Sequence, residues 1–360
     1  MQHVFHSDYT FEARYLGTRG VHLLVQNRLN RQNKVDPQNF LPTYLQAPSQ
    51  ATLDSLTTTL TSINARSSYV PAYSNNGFNG ASIVGFMPWG DSTYHGLATQ
   101  LTRRFSHGLQ SVIAYTFSHN IDDATATHFS TYLTPRRQED FRNLSADRSN
   151  SPLDRRHRLT VNWLWDMPYF ARADKWATRN LLGNWRIVGT YTAESGEWMT
   201  AQSNIDANLN GDNAGDRAII NPAGNPKLGS DVKSLTNSKG AVVAYLATNP
   251  NAMYITAGQG AMTNAGRNTI AMPGINNWDV SVGKKFAFTK ESNRYFEVRG
   301  DFSNIFNHAQ YTAGLVNSVK LTTQTTTRVF AQPSNSNFQQ WSTNFPSNSR
   351  TIQLVAKIVF

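Results

Sequence analysis

The sequence predicts an all-β fold, an antiparallel sheet whose strands cross a membrane, and three observations predict it. Apolar and polar residues alternate with period two along nine segments. Those segments run about 8–12 residues, longer than the ~5–6 usual in globular proteins and close to the ~9–11 a tilted strand needs to cross a bilayer. Their connections alternate between short turns and very long segments, as in outer-membrane barrels. Composition agrees: 16% of the 360 residues are charged and 11% aromatic, and few charges with many aromatics exclude an intrinsically disordered chain. The longest unbroken apolar run, Ala241–Ala247, falls far short of the ~20 residues of a membrane helix.

Taken in order, Tyr9–Leu16 and Val21–Leu29 flank the short turn Gly17-Thr18-Arg19-Gly20. Tyr94–Phe105 and Leu109–Phe117 flank Ser106-His107-Gly108. Leu159–Met167 sets Leu159, Val161, Trp163, Trp165 and Met167 on one face and Thr160, Asn162, Leu164 and Asp166 on the other. Trp185–Glu194 follows, and then Trp278–Phe286 and Phe296–Ser303 flank the short stretch Ala287–Asn293. The last strand, Thr351–Phe360, alternates Ile352, Leu354, Ala356, Ile358 and Phe360 with Thr351, Gln353, Val355, Lys357 and Val359.

Glu12, Arg14, Asp166, Glu297, Arg299 and Asp301 put charge on the polar face in mid-strand. Alternation by itself fits a lipid-facing wall and a soluble sandwich equally; the connections separate them. Four long loops, about 30–93, 119–155, 197–276 and 307–350, are rich in Asn, Ser, Thr, Gly and Pro, as solvated segments are. The strands entering short turns end as Arg103-Arg104-Phe105 and Lys284-Lys285-Phe286, where basic side chains can snorkel and aromatics form a girdle. In the first long loop Leu53, Leu56, Leu60 and Ile63 have the spacing of one short helix, against the run Thr57-Thr58-Thr59.

Absence of cysteine rules out disulfides, thiolate zinc sites and cysteine nucleophiles. Asp206-Ala207-Asn208-Leu209-Asn210-Gly211-Asp212, followed by Asp216, matches the start of a calcium loop, D-x-[DN]-x-[DN]-G. Asp206, Asn208, Asn210, Asp212 and Asp216 are the candidate oxygen ligands. The closing acid departs from the pattern, with Arg217 at its position and Asp216 one residue early. Weak calcium binding and a plain Asx-rich turn both remain open. His119, Asp122, Asp123 and His128 share no helix face and read as solvated loop. His157 lies among Arg155, Arg156 and Arg158, with Asp154 upstream and no positioned partner to orient it. With no G-x-S-x-G, Walker A or H-E-x-x-H run, no catalytic residue and no enzyme activity are expected. The net charge of +10 is scattered and lacks the interleaved aromatic platform of a nucleic-acid groove, so no nucleic-acid partner is expected.

Several stretches carry a resemblance: YLGTRGVHL (15–23), YHGLATQLTRRFSHGLQSVIAYTFSHNIDD (94–123), DRSNSPLDRRHRLTVNWLWDMPY (147–169), NWRIVGTYTAESGEWMT (184–200), NWDVSVGKKF (277–286) and VRGDFSNIFNHAQY (298–311). Together, and in this order, they cover about a third of the chain and resemble the C-terminal barrel region of TonB-dependent outer-membrane transporters, nearest the Oar-like branch. In that group the last strand reads polar-x-Gly-x-x-apolar-x-aromatic; Gln353, Ile358 and Phe360 match, and Val355 stands at the Gly position.

The resemblance implies a large barrel of about 22 strands with a plugged lumen, of which residues 1–360 are the C-terminal part, about nine strands without the plug. It implies the outer membrane with its lipopolysaccharide as surroundings and the barrel-assembly machinery as a partner through the strand ending at Phe360. TonB is a partner only through an N-terminal part outside this chain. Met1–Asp8 lack the basic and apolar regions of a signal peptide, so the start of the natural protein is expected upstream. The implied function is uptake of a bulky nutrient, to which this piece supplies barrel wall and substrate-contacting loops; no particular residue is assigned to substrate. The alternatives are a non-transporting surface-binding or structural barrel, adhesin-like in role, and a soluble secreted β protein that binds glycan.

Overall fold

A computed structural model describes residues 1–123, 133–135, 137–288, 294–311, 329–344 and 348–359. Its main feature is a ten-stranded sheet in which every pairing is antiparallel. Nine strands follow one another in chain order: β1 (Gln2–Phe5), β2 (Tyr9–Arg28), β3 (Val84–Ser106), β4 (Leu109–Asp122), β5 (His157–Asp166), β6 (Trp185–Glu194), β7 (Ile275–Ala287), β8 (Tyr295–Ser303) and β9 (Thr351–Val359). The tenth, Ser149–Asn150, pairs with the end of β4. Among the described residues the sheet is not closed: β9 pairs with β8 and β1 with β2, and neither edge meets the other.

Register fixes the two faces, because residues opposite each other in a ladder point the same way. One row runs Phe11, Leu101, Ile113, Val161, Tyr191, Trp278 across β2 to β7. A second runs Trp163, Gly189, Val280, Phe302, Ile352 across β5 to β9. The row next to the first, on the other face, reads Glu12, Gln100, Ala114, Thr160, Thr192, Asn277. The apolar face is uncovered: Phe11, Leu97, Ile113, Phe117, Val298, Ile352 and Ile358 are all exposed, and Leu354 reaches 78%. In a soluble sandwich that face would be the dry core. Here the buried apolar clusters lie in the connections instead. An apolar face this largely exposed along the whole sheet is a lipid-facing wall, and the opposite, charged face is the inner one. Among the described residues no helix is long and apolar enough to cross a membrane.

Several expectations are corrected. Tyr9–Leu16 and Val21–Leu29 are one strand, β2, since Gly17 to Gly20 stay paired with His95 to Ser92 and the chain then continues along the same neighbour to Arg28. What read as a turn is paired strand, and bulges follow it: the register shifts after Gly20 and after Leu23, with His22 at φ +57°. The first edge is therefore β1, which folds back on β2 through His6-Ser7-Asp8 and pairs over four residues, too few to show an alternating pattern. The strands β3, β4 and β7 run past the expected ends, and the long connections become 29–83, 123–156, 195–274 and 304–350. The single helix becomes two, α1 (Gln50–Ser55) and α2 (Leu60–Asn64), because Thr59 caps α2 in a reciprocal box with Ser62.

Lys284 does not snorkel. It is buried on the apolar face, and its ammonium donates to the Gly183 and Leu181 carbonyls of a helical turn at Thr178–Leu182, 4.8 Å over the Trp185 ring. The short turn at His107-Gly108 agrees with its expectation: both residues have positive φ, +51° and +82°, as a two-residue hairpin turn requires. Phe360 and His128 lie outside the described residues.

All four long connections leave the same end of the sheet and pack into one cap. Leu133, Met199, Ala218, Ile270, Phe330 and Phe338 build one apolar cluster from three of them. Val35, Leu41, Ile63, Leu209 and Tyr245 build a second from the first and third. Small sheets at 219–220, 225–230, 232–236, 242–247 and 252–255 stiffen the third connection.

Candidate functional site

The segment 204–216 is a loop whose ends are tied together. Ser203 N–H donates to the Asp216 carbonyl at 3.0 Å, Ser203 Oγ to the Arg217 carbonyl at 2.6 Å, and Ala218 N–H to Ala201 at 3.0 Å. Within the loop, side-chain oxygens accept main-chain N–H groups two to five residues on. Asp206 Oδ1 accepts from Asn210 at 3.0 Å and Oδ2 from Gly211 at 2.8 Å; Asn210 Oδ1 accepts from Asp212 at 2.9 Å. Gly211 sits at φ +87°, the left-handed conformation that glycine adopts without steric cost.

The loop is wedged among other connections. Asn208 Nδ2 donates to the Glu139 carbonyl at 2.8 Å, and Asn210 Nδ2 reaches that carbonyl and Asn33 Oδ1, each at 3.2 Å. Arg28, from the end of β2, donates to the Gly211 carbonyl at 2.6 Å. The Asp212 carboxylate is gripped at both oxygens by Arg137 and lies 3.4 Å from Arg28 Nε. Sequence reasoning named none of Arg28, Asn33, Arg137 or Glu139, which come from distant segments.

All five candidate ligands therefore meet in this loop, in two different states. Asp212 is neutralised by two guanidinium groups. Asp206 and Asp216 form no ion pair among the described residues. Asp216 is fully buried, its Oδ1 accepting from Asn208 N–H at 3.3 Å and its Oδ2 without a hydrogen-bond partner. Burial pushes its carboxyl well above the ordinary range, and the nearby Glu139 and Asp206 carboxylates push the same way. Burial also raises Asp206, against the Gly211 and Asn210 N–H groups that favour its charged form. Gln138, whose carbonyl lies against Gly215, is buried with neither amide atom partnered. Arg217, at the position of the missing closing acid, turns away to Asp147 and lies 3.8 Å from Glu139.

The other sequence candidates stay apart. His119 Nε2 bonds Asn150 Oδ1 at 3.0 Å, Asp122 pairs with Arg267 at 2.6 Å, and Asp123 accepts from Asp91 N–H at 2.9 Å. Asp154 accepts from Asn120 N–H and Trp198 Nε1–H, while His157 Nδ1 meets the Tyr115 hydroxyl at 2.8 Å. Asp154 thus does not orient His157. Among the described residues no three Asp, Glu, His or Cys side chains converge to hold a metal by themselves.

Beside the loop lies a cleft of about 520 Å³ lined by Gln32, Asn33, Asp36, Glu139, Arg142 and Thr263, among others. A second cleft of about 770 Å³ opens at the short-turn end, where Asp166, Arg186 and Lys285 of the inner face meet Phe170 and Arg172.

The family model for the outer membrane beta barrel domain matches residues 1–353. No curated protein matches the chain. One solved structure, the outer membrane transporter YddB from Escherichia coli, is similar over 99% of this chain and 31% of its own, at 7% identity and a TM-score of 0.40. The chain thus spans less than a third of that transporter. With the family match running through nearly every strand of the uncovered wall, the chain belongs to the outer membrane beta barrel domain family and resides in the outer membrane.

Proposed function

We propose that the chain supplies barrel wall and outer-side loops to a TonB-dependent transporter of the Oar-like kind, and that the loops contact a bulky nutrient during uptake. The observation that carries this reading is the open wall. Among the described residues β9 pairs only with β8, and β2 beyond Ala13 has β3 on one side and no strand on the other. In hydrocarbon each unpaired backbone group costs several kcal/mol, so both edges call for further strands, as a larger barrel provides. The charged inner face, with Arg186 paired to Asp166 and Arg299 to Asp301, is a polar lumen wall. The cleft at Asn33, Glu139 and Arg142 is where the cap would meet a polar solute. In this reading lipopolysaccharide surrounds the wall, the assembly machinery engages the last strand, and TonB acts through an N-terminal part of the transporter.

Deletion of the encoding gene tests the proposal. Spent medium from wild-type and deletion cultures is compared, with and without a protonophore. The expected result is a carbohydrate oligomer, peptide or metal chelate that persists in the medium of the deletion strain and of protonophore-treated wild type. Identical depletion in all cultures would remove transport and leave the surface-binding barrel as the reading.

A further inference from the structure

We infer that the 204–216 loop binds a calcium ion that locks three outer-side connections together. Three independent features of the site converge. The first is spacing: Asp206, Asn208 and Asn210 occupy positions 1, 3 and 5 of a calcium loop, with Gly211 at 6. The second is charge. Asp212, at position 7, has its carboxylate committed to Arg137 and Arg28, which leaves its main-chain carbonyl for the role that position 7 has in such loops. Glu139 lies beside Arg217, and Asp147 pairs with the same guanidinium. Asp206 and Asp216 are left with two formal negative charges and no ion pair among the described residues, matching one divalent cation. The third is a buried oxygen without a partner, Asp216 Oδ2, on a carboxylate that already touches the loop through the Asn208 N–H. Buried carboxylates are ordinarily paired or bound to metal.

The departure from the twelve-residue pattern then has a structural account. Arg217 points away into the Asp147 pair, and Asp216, one residue earlier, closes the site. Asn208 and Asn210 are neutral amides, so the ligand set carries less charge than that of a tight site. Affinity on the order of 0.1–1 mM follows, the range of extracellular modules. Magnesium is disfavoured, since it demands near-ideal octahedral geometry and gives up water reluctantly. Because Asn208, Asn210 and Asp212 also hold Glu139, Asn33, Arg28 and Arg137, an ion there fastens the first and second connections to the third.

The test is calcium titration of the full chain in lipid vesicles, followed by calorimetry and by limited proteolysis of the cap. The expected result is a saturable calcium signal in the sub-millimolar to millimolar range, with cap cleavage slowed at saturation and magnesium ineffective. Asp206→Ala abolishes both effects. Asn208→Asp adds a charged ligand and moves the midpoint several-fold toward lower calcium, which decides the matter even if Asp206→Ala fails to fold. Absence of a signal at 10 mM, about tenfold above the range, would return the loop to an Asx turn. A signal unchanged in Asp206→Ala, or a midpoint unmoved in Asn208→Asp, would equally overturn the site.

Discussion

Trp163 illustrates what single residues contribute to the wall. Its ring lies directly over Gly189 of the neighbouring strand, where a Cβ would collide with it, and meets Trp278 edge-on with centroids 6.1 Å apart. Trp278 in turn contacts Tyr191 at 4.2 Å and Phe306 at 5.9 Å, so one aromatic patch spans β5, β6 and β7 on the lipid face. Three residues earlier, Thr160 faces the other way, in register with Ala114 and Thr192. Trp163→Arg is therefore expected to destabilise the wall by about 2–4 kcal/mol, as cationic side chains do at mid-depth on the lipid face of outer-membrane barrels. Thr160→Arg is expected to be tolerated. Urea unfolding in lipid vesicles measures both, and equal losses at the two positions would contradict the assignment of the faces.

At the scale of elements, the cap is held by buried amides as much as by apolar clusters. Asn268 is completely buried; its Oδ1 accepts from Thr134 and Thr200 hydroxyls at 2.7 and 2.9 Å, and its Nδ2 donates to the Asn150 carbonyl at 2.7 Å. Asn30 likewise brackets Phe78, Ala81 and Ile83, and Asn304 bonds the His308 and Asn348 carbonyls. Buried polar groups left without partners cost about 1–3 kcal/mol each, so Asn268→Ala is expected to destabilise the cap by on the order of 3 kcal/mol. Hydrogen exchange should show faster exchange around Thr134, Asn150 and Thr200, with β7 and β8 unchanged. Slower or uniform exchange would show that the amide is not the bracket.

These brackets also explain which elements the sequence reveals. Strands β4 to β9 are legible because period-two alternation persists wherever one face meets lipid and the other water. The continuity of β2 is not, because Gly17 and Gly20 look like turn residues although their pairing with β3 never breaks. The cap is illegible for a different reason. A buried Asn has no period, and its partners lie far along the chain, as with the bond between Asn268 and Thr134 across 134 positions. The same holds at the Asx-rich loop: its five candidate ligands could be read locally, whereas Arg28, Arg137 and Glu139 arrive from 183, 75 and 69 positions away.

For the whole molecule, one arrangement accounts for the distribution of apolar residues: a wall with an uncovered apolar face, a polar inner face, and a cap that holds the buried clusters at one end. The chain's lack of cysteine lets that arrangement be mapped directly. Single cysteines placed in turn from Leu159 to Trp165 on β5, spin-labelled in lipid vesicles, report accessibility to oxygen, which concentrates in the bilayer, and to a water-soluble nickel chelate. Oxygen accessibility should peak at 159, 161, 163 and 165, and nickel accessibility at 160, 162 and 164. Labels at the odd positions that are shielded from both reagents, or open to nickel throughout, would contradict a membrane-spanning wall.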